Sequence, residues 1–350
     1  MKEKLQELRK KTNQSGLWLT TLFYLLLIGI FVFAHNLTAL NILWLLPIMG
    51  WVQYYVVISG HEAVHRTLTP NPVLNEFLGV FGQALVGVNF TAYRLQHFDH
   101  HRVTDFHNDP DSHIYYGVIT KKAGLQRFLW LTLGTFWEII VKIHQKGSGG
   151  YGTERDIKPK IQRNMKRDSL LVIVTQVSLM GICYWSIGGV DFLHVFCESL
   201  FQNIPLAGWM VLAVDIVSSY ILLWIVPLFA FTVFLNRCRI VIEHGLALQM
   251  VDQMEDFAGL RIPTVEILPN VVERWIFAPY QFNFHCSHHC YMAVPHYNLK
   301  ELHNVLKSRQ NPGFLYVEGG YIQALWKVIH HPKTEFALPK QGMDPAQITE

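Results

Sequence analysis

Nine histidines of this chain fall into four short clusters whose spacing suits metal binding. His61 and His65 lie four residues apart, and two further clusters each place three histidines at positions i, i+3 and i+4. The full set is His61, His65, His97, His100, His101, His244, His285, His288 and His289. On a helix such positions share one face, so each cluster can direct its rings toward one point. Because imidazole is the commonest metal ligand, metal chemistry is the first hypothesis.

The elements that must position these clusters are hydrophobic helices. Hydrophobic residues make up 51% of the 350 residues and charged residues only 16%, whereas a soluble domain carries about 25% charged residues. A bilayer-crossing helix needs about 20 apolar residues, and four stretches qualify. They cover residues 17–35, 39–59, 169–187 and 207–235. We therefore predict an all-α integral membrane protein with four transmembrane helices, interfacial helices and a cytoplasmic histidine-rich cap.

The rest of the chain is assigned around these four spans. Two apolar segments, 73–90 and 125–143, carry polar or charged residues, and we expect them to be interfacial or re-entrant. The first span could instead be a cleaved signal sequence, but its apolar run is longer than usual for one, which favours a retained helix. The expected domains are residues 1–16 as a cytoplasmic tail, residues 17–335 as one membrane domain and residues 336–350 as a C-terminal tail.

The basic residues predict the orientation in the membrane. Five lie before the first span, fourteen lie in residues 60–167 and ten lie in residues 236–350, which accounts for all 29 Lys and Arg. The short links between paired spans hold none. Because positive charge stays on the cytoplasmic side, we expect both termini and all four histidine clusters to be cytoplasmic. The membrane would be a bacterial inner membrane or the endoplasmic reticulum.

The number of imidazoles indicates more than one metal ion. Zinc takes four ligands and a single iron about six, so nine imidazoles fit two ions. Imidazole suits iron, zinc, copper and nickel, and the ligand type alone leaves the metal open. Chemistry at a membrane surface with access to oxygen favours iron.

Three boxes, HEAVH from His61, HFDHH from His97 and HCSHH from His285, follow one another in this order. With the separate His244, they make the chain resemble the membrane fatty acid desaturase superfamily, which also contains alkane hydroxylases and carotenoid ketolases. The resemblance covers most of the chain beyond Trp51. It implies a non-haem di-iron centre with two Fe²⁺ ions held by the nine histidines.

The resemblance also implies a reaction and its partners. In the superfamily, reduced iron activates O₂ as co-substrate and removes hydrogens from a lipid or fatty acyl chain, which introduces a double bond. The sequence has neither a dinucleotide-binding fingerprint nor a cytochrome b5-like haem motif. A separate electron donor of the ferredoxin, rubredoxin or cytochrome b5 type is therefore implied. Ser287 and Lys300 depart from the common pattern and leave the substrate subclass open.

Acidic residues beside the boxes are candidates for supporting the ligands. A histidine ligand usually donates its other ring N–H to an acceptor. The main candidates are Glu62, Asp109 and Glu243, and the further ones are Asp99, Asp105 and Asp111. For each acid the alternative is a solvated charge. Membrane lipids are expected partners, whereas nucleic acid is not, because the net charge is only +3.

Three other functions compete with a desaturase. A hydroxylase or ketolase of the same superfamily would act on a lipid, alkane or carotenoid. A membrane zinc protease would use the H-E-x-x-H pattern of His61 to His65, with Glu62 as general base, but this leaves seven clustered histidines unexplained. A metal transporter would place its site near the bilayer midplane, whereas these histidines lie at the ends of spans.

Overall fold

The computed structural model describes residues 2–37, 39–103, 108–144, 157–187, 208–251, 263–309 and 314–331. Within these ranges the chain is helical apart from one pair of short strands. The helices are α1 (Lys2–Leu8), α2 (Ser15–Ala34), α3 (Ala39–Val64), α4 (Pro72–Leu85), α5 (Phe90–Arg102), α6 (Ser112–Ile119), α7 (Leu125–His144), α8 (Pro159–Ile187), α9 (Gly208–Val251), α10 (Val271–Phe277), α11 (His285–Cys290), α12 (Leu299–Ser308) and α13 (Tyr321–His330). The strands β1 (Val265–Leu268) and β2 (Leu315–Glu318) pair in parallel. The predicted tail 336–350 lies outside the described residues.

Four helices, α2, α3, α8 and α9, are long and apolar enough to cross a membrane. The prediction of an all-α membrane protein with four spans is confirmed. The helices α3, α8 and α9 extend well beyond the predicted apolar stretches. The helix α3 continues to Val64 because the first histidine box is buried rather than solvated. The helix α8 begins at Pro159 because long basic side chains can extend from its first turns toward water.

The helix α9 departs from regular α geometry in three π-helical segments. They lie at Ile221–Ile225, Leu228–Val233 and Val241–Leu246. Pro227 falls between the first two and has no backbone N–H to donate. The third segment carries Glu243 and His244. Single π turns are rare and occur frequently at functional sites.

The segment 73–90, predicted to be interfacial or re-entrant, forms α4 and the break that leads into α5. The axes of α4 and α5 are bent by 100° at the break. The carbonyl oxygens that end α4 are bonded by side chains of two spans: Gln176 donates to Ala84 and Leu85, and Trp224 donates to Leu85. A backbone can leave helical geometry at membrane depth only where such donors replace water. Side chains of α8 and α9 therefore stabilise the break between α4 and α5. The helix α5, which follows the break, contains the second histidine box.

The N-terminal helix α1 packs against α12. Leu5 and Leu8 share an apolar cluster with Leu302 and Leu306, and the Asn298 side-chain amide donates to the Leu8 carbonyl over 2.7 Å. The same cluster includes Phe284, the residue before the third histidine box. The start of the chain and the third box thus lie on the same side of the molecule.

Candidate metal centre

The structure brings all nine histidines of the four clusters together, in two groups. Within each group the potential ligand atoms lie within 4.8 Å of one another, and every ring is buried. The first group is His61, His65, His97, His101 and His288; the second is His100, His244, His285 and His289. The groups are adjacent, because the ring centroids of His101 and His289 are 4.2 Å apart. Neighbouring histidines on α5 and on α11 therefore serve different groups.

Several ring nitrogens approach one another closely. The Nε2 atom of His97 lies 2.7 Å from Nε2 of His65 and 3.0 Å from Nε2 of His101. In the second group, Nε2 of His244 and Nε2 of His285 are 3.0 Å apart. Two nitrogens bound to one ion at about 2.0–2.1 Å are themselves roughly 3 Å apart. The observed spacing is that of ligands converging on a shared ion.

Two ring nitrogens test whether a metal fits this site. Among the described residues, Nε2 of His61 and Nε2 of His288 are buried and have no hydrogen-bond partner. A buried polar atom without a partner is costly. A metal ion in the first group would give both atoms the partner that the protein does not supply. The residues present therefore fit a metal ion.

The protonation state of four of these rings, those of His65, His285, His288 and His289, also suits metal binding. Burial lowers the pKa of His288 to about 3. Burial likewise holds the pKa of His65, His285 and His289 well below the usual value of an imidazole. These rings are neutral at pH 7, and a metal-binding histidine must be neutral.

The three acids singled out in the sequence each lie beside a different histidine. The pairs are Glu62 Oε1 and His61 Nδ1 at 3.3 Å, Asp109 Oδ1 and His100 Nδ1 at 2.7 Å, and Glu243 Oε2 and His285 Nδ1 at 3.6 Å. In each pair the acid faces Nδ1, which leaves Nε2 for the shared centre. Of the weaker candidates, Asp111 lies 3.9 Å from His100 Nδ1, and Asp105 lies outside the described residues.

Each of these acids is held by a further donor. The donors are Thr67 to Glu62 at 2.8 Å, Tyr115 to Asp109 at 2.6 Å and Arg239 to Glu243 at 2.5 Å. All three acids are buried. The carboxylates are thereby fixed in place, and they in turn restrict the orientation of the histidine rings.

A fourth buried acid beside the histidine boxes, Glu266 on β1, was not predicted from the sequence. One of its carboxylate oxygens accepts the backbone N–H of Ser287 over 2.7 Å, within the third box, and the other contacts Nδ1 of His303. Glu266 is fully buried. Its one sequence signal is its place as the only charged residue in the apolar run Val265–Leu268.

A cavity of about 630 Å³ opens beside both histidine groups. Its wall includes His61 and His97 from the first group and His100, His244 and His285 from the second. The apolar part of the wall is formed by Val57, Ile58, Val86, Val88, Leu228, Phe229, Val233, Ile240 and Phe282. Mostly apolar cavities of about 300–1,000 Å³ are typical of small-molecule sites. This cavity can hold part of a hydrocarbon chain against the histidines.

Comparison with known proteins assigns the family. A family model described as "Fatty acid desaturase" matches residues 42–318, which include all nine histidines of the two groups. A comparison with curated proteins gave no match. The resemblance seen in the three boxes is confirmed, and the H-E-x-x-H pattern is accounted for as part of a larger set. Since the match spans well over half of the 350 residues, this chain belongs to the fatty acid desaturase family.

Proposed function

We propose that this protein is a membrane-bound, non-haem di-iron enzyme that uses O₂ to introduce a double bond into a fatty acyl chain. The observation that carries the proposal is the division of nine buried histidines into adjacent groups of five and four beside an apolar cavity. Two iron ions bound there would supply the activation of O₂ that removal of hydrogen from an unactivated carbon chain requires. The family match supports an oxidoreductase of this type.

The proposed iron ligands are the nine histidines of the two groups. Glu62, Asp109 and Glu243 act through them: Glu62 and Asp109 each accept the Nδ1 proton of one ring and fix which nitrogen faces the metal, and Glu243 lies 3.6 Å from Nδ1 of His285. These acids are positioning residues. The zinc-protease alternative would instead need Glu62 free to deprotonate a water molecule, whereas Thr67 and His61 both face its carboxylate.

The cavity wall positions the substrate. Its apolar residues bind a hydrocarbon chain by burying it, and they exclude water from the reacting carbon atoms. Holding two neighbouring methylene groups beside the histidine groups lowers the entropic cost of the reaction, because the reacting carbons are already positioned and oriented. The same cavity would serve a hydroxylase or a ketolase, which differ in where the reacting carbon is held.

Electrons must come from outside the chain. Reduction of O₂ to two waters takes four electrons, of which the acyl chain gives two with its two hydrogens. A separate donor of the ferredoxin, rubredoxin or cytochrome b5 type gives the other two. We propose that it docks on the cytoplasmic side, because all Lys and Arg lie outside the short links between paired spans. In intact cells, cysteines introduced at Lys4 and Lys307 should react with a membrane-impermeant thiol reagent only after the membrane has been permeabilised.

The proposal is tested by expressing the protein in a host that lacks the activity and analysing total lipids by mass spectrometry. We expect a new double bond with the wild type and with the control variant His330→Ala, whose ring is exposed on α13. His100→Ala and His288→Ala should abolish it. Purified protein should contain about two iron ions per chain. A product that gains oxygen would indicate a hydroxylase or ketolase, and one zinc with peptide cleavage would indicate a protease.

A further inference from the structure

A second cavity lies at the start of α2, and one of its lining residues, His296, has its Nδ1 atom 3.6 Å from Glu62, the acid beside His61. It measures about 670 Å³ and shares no lining residue with the cavity described above. The residues that matter here are Ser15, Trp18, Leu22, Arg274, Trp275 and Tyr297. We call this cavity the α2 cleft. Its lining combines polar groups at one end with apolar side chains along α2.

The α2 cleft is electrostatically suited to an anion. Arg274 is the one Lys or Arg among its lining residues, none of which is acidic. The side chain of Arg274 is exposed, and no ion-pair partner for it is found in the part of the chain that the structure describes. The Tyr297 hydroxyl donates to the carbonyl of Lys10 over 3.2 Å. This bond holds the backbone of Lys10 beside the cleft.

An apolar groove continues from the α2 cleft along α2. It measures about 340 Å³, shares Leu22 with the cleft, and reaches Phe33 with only apolar residues and Gly29 along its length. The eleven helical rises between Leu22 and Phe33 span about 17 Å, close to the roughly 15 Å of one leaflet's hydrocarbon layer. A Cβ atom added at Gly29 would meet no atom within 4 Å. The groove is therefore open and has the length of an acyl chain in one leaflet.

The aromatic residues set the depth of this site. Trp18 is 70% exposed and Trp275 is 46% exposed at the cleft. Tryptophan concentrates at the boundary between headgroups and hydrocarbon. This places the polar end of the cleft among lipid headgroups and the groove among acyl chains.

We propose that the α2 cleft and its groove bind one anionic glycerophospholipid. The phosphate lies against Arg274 and one acyl chain lies along α2 from Leu22 to Phe33. The lipid is a bound component of the protein and not its substrate, because the cleft has no lining residue in common with the cavity at the histidines. The proposal does not rest on the proposed reaction.

The charge requirement is tested by native mass spectrometry of the purified protein titrated with phosphatidylglycerol or with phosphatidylcholine of the same acyl chains. One arginine near a membrane surface is worth about five-fold in affinity for an anionic lipid. Arg274→Gln should therefore weaken phosphatidylglycerol binding about five-fold and phosphatidylcholine binding less, because choline offsets the charge of the phosphate, while Arg274→Lys should retain most of the binding. The control is Arg163→Gln, an exposed arginine in the first turns of α8. Equal losses in Arg274→Gln and Arg163→Gln would overturn the proposal.

The acyl-chain contact is tested with Gly29→Leu, which fills the groove without a clash. This substitution should weaken the binding of both lipids. Gly181→Leu should weaken the binding of neither, because Gly181 is equally open but lies on α8. Neither substitution meets a neighbouring atom at Cβ, so both variants should fold. A photoreactive phosphatidylglycerol should crosslink to α2 and α10. Crosslinks confined to α8, or conversion of the bound lipid to product, would refute a fixed lipid at this site.

Discussion

The Nδ1 atom of His100 lies 2.7 Å from the Oδ1 atom of Asp109. The same carboxylate accepts the hydroxyl of Tyr115 over 2.6 Å and the backbone N–H of Asp111 over 2.9 Å. Burial acts to raise the pKa of Asp109, but the hydrogen bond from His100 holds the pKa below its usual value. Asp109 is therefore ionised at neutral pH and fixes His100 with Nδ1 protonated, so that Nε2 faces the second histidine group.

Replacing Asp109 with Asn should weaken metal binding without removing a ligand. The amide keeps the shape of the carboxylate but loses the charge that fixes the ring of His100. Loss of such a partner typically costs 10–100-fold in metal affinity, and we expect a loss in that range. Titration of the iron-loaded protein with a chelator measures it.

Asp111→Asn is the matched control for this prediction. Asp111 lies in the same segment, but its carboxylate is 3.9 Å from His100 Nδ1 and it accepts a hydrogen bond from Gln96 instead. Iron retention in this variant should stay near that of the wild type. If Asp111→Asn released iron as readily as Asp109→Asn, the loss would come from removing any negative charge near the second histidine group, and not from the contact between Asp109 and His100.

The sequence indicated which histidines could lie together because their spacing is local. The spacing His97, His100 and His101 places three rings on one face of α5 whatever the rest of the fold does. Glu62 and Asp109 stand within nine residues of the histidines that they contact, whereas Glu243 lies beside His285, far along the sequence. The division into five and four was not predictable, because it depends on how four separate segments meet in space.

Glu266 was missed because its partners are distant in the sequence. It reaches Ser287 and His303 through the strand pair that sets Val265 of β1 opposite Leu315 of β2. Short strands paired across about 50 residues leave only a weak local pattern. The start of α8 was predicted too late in the sequence and the end of α9 too early. Apolar runs mark the part of a helix that lies in the membrane, whereas packing decides where the helix begins and ends.

Glu266→Ala should destabilise the third histidine box. The substitution leaves the Ser287 N–H and the His303 ring buried without their acceptor, and removing one partner of a buried charged pair costs about 3–5 kcal/mol. We expect a clear fall in melting temperature in detergent and a lower iron content. Glu266→Gln, which keeps an acceptor for the Ser287 N–H, should be intermediate.

The control for Glu266 is Glu318→Gln, on the neighbouring strand β2. Glu318 is exposed, and its contact with Lys307 is a surface ion pair at 3.5 Å. Exposed pairs contribute about 0–1 kcal/mol, so this variant should melt with the wild type. A Glu266→Ala protein that kept wild-type stability and iron would show that Glu266 does not hold the box.

Trp224→Phe should weaken the break between α4 and α5. It removes the donor to the Leu85 carbonyl, which lies 3.1 Å away in a buried setting. A buried acceptor that loses its donor costs about 1–3 kcal/mol. Because Gln176 bonds the same carbonyl, Gln176→Leu combined with Trp224→Phe should cost more than the sum of the single changes. Thermal unfolding of the four proteins measures the coupling, and Trp209→Phe, exposed on the same helix, should change nothing.

Gly60→Ala should disturb the first histidine box through a clash with α4. A Cβ atom at Gly60 would lie 1.9 Å from Nε2 and 2.7 Å from Cδ of Gln83, whose amide donates to the Val57 carbonyl over 3.1 Å. Overpacking of this kind costs about 1–3 kcal/mol, and here it displaces the residue next to His61. We expect lower melting temperature and lower iron content.

The clash at Gly60 can be separated from a general effect of alanine. Gly60→Ala with Gln83→Ala removes the opposing side chain and should recover stability relative to Gly60→Ala alone. Gly181→Ala is the contrasting control, because its Cβ meets no neighbour and alanine is favoured over glycine within a helix by about 0.5–1 kcal/mol. That variant should melt at or above the wild-type temperature. If Gly60→Ala did the same, α3 and α4 would not be packed as closely beside His61 as the distances require.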